Sequence, residues 1–216
     1  MDMKESFQEA KKDEVKREHF LKLFLTNYPN KAVSRLTYNE SQAFKKFLKS
    51  QVNKGKLLDE NYNSLLVSLD NRDDADKVAF CARANMGIGM KSQIFIMPAA
   101  FKLSFDNFVS AIVDHEYIHA EHVKNGIMFK PGLEYSYLVT SSFDPEIILN
   151  LDESIAYCVT ISKALGRNNN SSFINGCVEI LEDLTKELEK KRKFTSVAEE
   201  SAVKIQISKN KQVLNL

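Results

Sequence analysis

The chain has 216 residues, 44% hydrophobic and 27% charged, with a formal net charge of +1 from 30 basic and 29 acidic side chains. That length suits one domain, and the apolar share is enough for a sizeable core. The near-neutral balance argues against nucleic acid or another strongly charged partner, and no apolar run is long enough to span a bilayer.

Residues Met1 to Glu18 are densely charged and hold no secretory apolar core. Cys81, Cys158 and Cys177 are odd in number, scattered and set in apolar surroundings. They fit reduced thiols rather than disulfides or a zinc finger, and with the charged start they point to a cytoplasmic protein. Residues 5–27 read as a helix that begins charged and ends on Phe20, Leu21, Leu23, Phe24 and Leu25. Further helices are expected at 39–52 and 58–70, where Lys45, Lys46, Lys49, Lys54 and Lys56 form a solvated face. Residues 77–83 and 93–97 are β-prone runs around a Gly-containing loop, an antiparallel hairpin by pattern. One of its strands is a candidate edge for pairing with an extended peptide. Gly87-Ile88-Gly89 lacks the third glycine and the strand-turn-helix context of a phosphate loop.

The next helix is expected from Ser104 or Asp106 to Asn125-Gly126, with Phe105, Phe108, Ile112 and Val113 on its buried face. It carries His115-Glu116-Tyr117-Ile118-His119, which uses two of the four histidines. Residues four apart on a helix share a face, so both rings can aim a nitrogen at one zinc ion. Glu116 is turned off that line and is placed to take a proton from a water at the metal. A third protein ligand is then needed, with the fourth position left to water. A histidine ten residues after the first would supply it, but that position is Asn125. His122 lies too far along a straight helix to converge on the same ion, which leaves it a supporting or rim position.

After a connection containing Tyr135 and Tyr137, a helix opens at Asp144-Pro145-Glu146 and runs to about Leu165 before Gly166. It is apolar nearly all round, as a buried helix is, except for a polar stripe of Glu146, Asn150, Glu153, Tyr157 and Thr160. A buried carboxylate needs a partner or a metal, which makes Glu153 the leading third ligand and Glu146 the alternative. Asn168 to Ser172 caps a helix at about 172–192, and a last amphipathic helix is expected at 196–209.

The His-Glu-x-x-His helix resembles the zincin metallopeptidases. With Glu153, Ala156 and Tyr157 on a second helix it is similar to the gluzincin clan. It departs from the usual pattern at Glu121, where an apolar residue is common, and at Tyr157, where larger members place an acid that holds the first histidine; Asp152 or Asp114 is a substitute here. The likeness implies His115, His119 and Glu153 as zinc ligands and Glu116 as general base. It also implies an oxyanion donor, for which Tyr135, Tyr137 and Tyr157 are available. The expected fold is α+β and mostly helical. It comprises an N-terminal helical part (1–72), a zincin-like core with a small antiparallel hairpin or sheet packed on the active-site helix (73–166), and C-terminal helices (167–216), all in a single domain. The expected activity is zinc-dependent hydrolysis of a peptide or protein substrate, with neither nucleic acid nor membrane as partner. A catalytically inactive interaction protein and a non-peptidase zinc amidohydrolase are the alternatives, and nothing in the sequence sets an oligomeric state.

Overall fold

The computed structural model of the protein describes residues 2–38, 49–50, 53, 78–81, 91–130, 133–134, 143–167 and 169–215. The helix expected at 58–70, nearly all of that at 39–52, the loop at 85–89, and both Tyr135 and Tyr137 lie outside the described residues. The described part is α+β and mostly helical. It divides into two compact units, Met1–Phe108 and Val109–Leu216.

In the first unit the expected single helix at 5–27 is two, α1 (Met3–Lys12) and α2 (Arg17–Asn27). The break is at Asp13, whose backbone is extended and whose carboxylate accepts from Val15 N at 3.0 Å to cap a short 3-10 turn. A side chain that hydrogen-bonds its own neighbouring backbone competes with helix continuation. Arg17 Nε then donates to the Ala10 carbonyl at 3.0 Å, satisfying an acceptor at the end of α1. The apolar faces meet in an aromatic cluster. The Phe20 ring lies 5.3 Å from Phe7, 5.7 Å from Phe24 and 5.5 Å from Phe108. These tilted and edge contacts add to the stabilisation from burial alone.

The strands are β1 (Val33–Tyr38), β2 (Ala79–Cys81) and β3 (Ser92–Ile96), in the order β1-β3-β2. β2 and β3 pair antiparallel as expected, with Phe80 opposite Phe95. The sheet as a whole is a correction: β1, absent from the sequence reading, runs parallel to β3, so the sheet is mixed. β3 is paired on both sides and is not an edge. A 3-10 turn (Pro98–Lys102) and α3 (Phe105–Val109) follow, the latter capped by Ser104 Oγ, which accepts from Asn107 N at 3.2 Å.

The second unit begins with a π-helical segment, Ser110–Glu116, that leads into α4 (Tyr117–Asn125). α4 stops at Gly126, whose φ of 85° suits only glycine without strain. A short antiparallel pair, β4 (Met128–Lys130) and β5 (Leu133–Glu134), comes next. α5 (Pro145–Ala164), α6 (Ser171–Lys190) and α7 (Val197–Leu214) complete the unit. Two caps match the sequence signals: Asp144 accepts from Glu146 N at 2.9 Å and Asn170 from Phe173 N at 2.8 Å. Ser196 accepts from Glu199 N at 3.2 Å to cap α7, which runs beyond the expected end at 209 to Leu214. Ile127, Phe143, Ile147 and Leu151 pack with Leu188, Ala202 and Val203 as one core. α5 is less buried than its composition suggests, since Leu149 is 48% exposed. Burial pushes the thiols of Cys158 and Cys177 up to about 11, which keeps them protonated. Among the described residues no helix is long and apolar enough to cross a membrane.

Candidate metal centre

The candidate residues from α5 and from the histidine motif meet inside the second unit. The motif straddles a change of helix type, because His115 and Glu116 end the π segment while His119 lies in the first turn of α4. The Tyr117 amide donates to the Ile112 carbonyl five residues back, the signature of the wider turn. His115 Nε2 and His119 Nε2 lie 3.2 Å apart. Glu153 Oε2, from the middle of α5, is 3.5 Å from the first and 3.4 Å from the second. These three atoms form a nearly equilateral triangle. A regular tetrahedron with an edge of about 3.4 Å has its centre about 2.1 Å from each corner, the bond length of zinc to imidazole nitrogen or carboxylate oxygen. The donor set therefore fits a tetrahedral cation with one corner left open.

Each imidazole is held by its other nitrogen. Asp152 Oδ1 is 3.1 Å from His119 Nδ1 and also accepts from His122 Nδ1. The carboxylate is 3% exposed, and by accepting at Nδ1 it orients the His119 ring so that Nε2 is the nitrogen turned to the other two ligand atoms. His122, His119 and Asp152 thus form a second cluster directly behind the first. His115 is held differently. The Thr160 hydroxyl donates to the Ala156 carbonyl at 2.8 Å, and its oxygen faces His115 Nδ1 at 3.4 Å. Neither Asp152 nor Asp114 supports the first histidine, as the sequence reading expected of one of them. Asp152 serves the second, and Asp114 is taken by Arg167 and Lys163. Glu146, the alternative ligand, is exposed and ion-paired with Lys191.

The charges are consistent with this wiring. Burial disfavours a charged His119, but Asp152 and then Glu153 outweigh it and push the imidazole up to about 10. Burial would raise Glu153, yet hydrogen bonds and charge from His115 and His119 hold it well below the usual carboxylate range. Glu116 is 8% exposed, and among the described residues no hydrogen bond or ion pair reaches its carboxylate. An ionisable group so buried and unengaged beside a ligand cluster is a candidate for chemistry rather than packing. The Tyr157 ring lies edge-on to His115 with centroids 4.5 Å apart, which puts it at the site.

The sequence puts His122 in a supporting position and offers Asp152 for the first histidine; their pairing with each other behind the second, the Arg167 contact to Asp114 and the π segment emerge only from the structure. A second acid directly before Glu153 on an apolar helix is the signal for the pairing, since it also needs a buried partner. Comparison of the chain with family models, curated proteins and solved structures finds no match.

Proposed function

We propose that the protein is a zinc-dependent hydrolase with a gluzincin-like centre, acting on peptide bonds. His115, His119 and Glu153 would hold the ion, and zinc bound there would supply Lewis acidity that makes water acidic enough to react near neutral pH. Glu116 accepts a proton from the attacking water and returns it to the leaving amine. Asp152 holds the His119 ring in place, with His122 completing its hydrogen bonds. Tyr157 is the described tyrosine available to stabilise the oxyanion, and Tyr135 and Tyr137 are the other candidates. One observation carries the proposal: three ligand atoms of the required types lie 3.2–3.5 Å from one another, next to an unengaged glutamate. The choice of peptide over other amides rests on the motif's likeness to zincins, an analogy rather than a geometric inference.

The test is Glu116→Gln. The variant should retain zinc and lose cleavage of an unstructured protein substrate such as denatured casein by at least about a hundredfold, the usual contribution of a general base. A variant that cleaves as fast as the wild type removes Glu116 from the mechanism.

A further inference from the structure

Upstream of the histidine pair the motif segment is gripped by contacts that the ligand triangle does not use. Ser110 and Asp114 are both fully buried and lie one turn apart in the π segment. Each is met by a residue from the turn between α5 and α6. Asn169 Nδ2 donates to Ser110 Oγ at 3.1 Å. Arg167 forks onto Asp114, with Nε 3.0 Å from Oδ2 and Nη2 3.1 Å from Oδ1. Lys163 Nζ stands 3.5 Å from the same carboxylate. The Thr160 hydroxyl oxygen, whose proton goes to Ala156 at 2.8 Å, lies 3.2 Å from the Asp114 carbonyl, so α5 also packs against the backbone of this residue.

We propose that Arg167 and Asn169 are positioning residues that latch the π segment in the single register that presents His115 and Glu116 to Glu153. A π stretch of seven residues is intrinsically unusual and needs external support. One residue gained or lost in that stretch would turn everything after it by about 100° relative to everything before it. Such a slip would carry His115 and Glu116 off the face that meets α5. The latch is well suited to forbid it. Asp114 is a charge with no solvent exposure, and a buried carboxylate separated from its bidentate guanidinium is strongly disfavoured. Any register that moves Asp114 away from Arg167 incurs that penalty, while a purely apolar contact would tolerate sliding. Asn169 adds a second point one turn earlier, and two points fix rotation where one would not. α5 carries Glu153, and the turn that directly follows its C-terminus at Ala164 carries Arg167 and Asn169, so ligand and latch come from adjoining stretches of chain. The consequence for catalysis rests on the zinc-site proposal above; the latch itself does not.

The test compares Arg167→Ala, Arg167→Lys and Asn169→Ala with Val203→Ala, a core variant remote in sequence from the latch and chosen to lower the melting temperature by a similar amount. Hydrogen exchange of the metal-free proteins is read at the amides of residues 112–117. Arg167→Ala should speed exchange there about tenfold, Arg167→Lys less, and Val203→Ala no more than elsewhere in the unit. Zinc affinity, read by chelator competition, should fall about tenfold to a hundredfold in Arg167→Ala and change little in Val203→Ala. Unchanged exchange at 112–117 in Arg167→Ala, or an equal rise in Val203→Ala, overturns the latch. If Arg167→Ala does not fold, Asn169→Ala decides by the same exchange criterion. A wild type that binds no zinc defeats the metal-centre proposal, and the exchange comparison still decides the latch.

Discussion

Asp152→Asn isolates the support behind one ligand while keeping its shape. The carboxylate is 3% exposed, and its Oδ1 receives His119 Nδ1 at 3.1 Å and His122 Nδ1 as well. An amide in its place still offers one acceptor, but it carries no charge. The charge-assisted bond to His119 becomes a neutral one and loses about 1 kcal/mol. The imidazole also becomes a weaker base, and its Nδ1 proton is held less firmly. Partners of this kind typically contribute about tenfold to a hundredfold in metal affinity, which corresponds to about 1.4–2.7 kcal/mol. Competition with a chelator at pH 7 measures that loss, and nitrogen chemical shifts of the His119 ring follow its protonation with pH. The expected result is weaker zinc binding within that range and, in the metal-free variant, a His119 ring that gives up its second proton at lower pH than in the wild type, because the Asp152 charge that raises it is gone. Wild-type affinity together with unchanged His119 protonation would refute the assignment of Asp152 to this role.

Two further outcomes follow from the same geometry. His119 is pushed up to about 10 in the metal-free protein, so it holds a proton at neutral pH that a metal must displace. Zinc titrations in buffers of different ionisation enthalpy should therefore show at least about one proton released at pH 7, and affinity should rise about tenfold per pH unit from 6 to 8; pH-independent binding would contradict it. Glu199 is fully buried, and its carboxylate accepts from Asp144 N at 2.6 Å, from Thr195 Oγ1 at 2.9 Å and from Thr195 N. Glu199→Ala removes the buried acceptor these donors share at the starts of α5 and α7 and should cost about 3 kcal/mol in urea unfolding; an unchanged midpoint would show that the carboxylate contributes nothing net.

Much of the second unit was legible because its signals are local. Asp144-Pro145 and Asn170 announce helix starts through their own side chains, and Gly126 announces a stop through its backbone freedom. The spacing of His115 and His119, and an acid on an otherwise apolar helix, likewise put Glu153 forward as the third ligand. What escaped was set by contacts between distant segments. Val33–Tyr38 lacks clean alternation, with two exposed residues in succession between Val33 and Leu36, and its strand exists through pairing with β3. Asp13 breaks a run of good helix formers by a backbone hydrogen bond that composition does not show. The π segment has no residue pattern to distinguish it from α-helix, and its supports, Arg167 and Asn169, follow it by more than 50 residues. Leu149 is exposed because the helices packed on α5 leave that face open, which hydrophobicity alone does not report.

The most direct measurement is zinc content by elemental analysis of the purified protein beside Glu153→Ala. The triangle formed by His115, His119 and Glu153 predicts about one zinc per chain in the wild type and a small fraction of that in the variant. Equal zinc in the two proteins, or none in either after reconstitution with zinc, would contradict the centre on which the proposed hydrolysis depends.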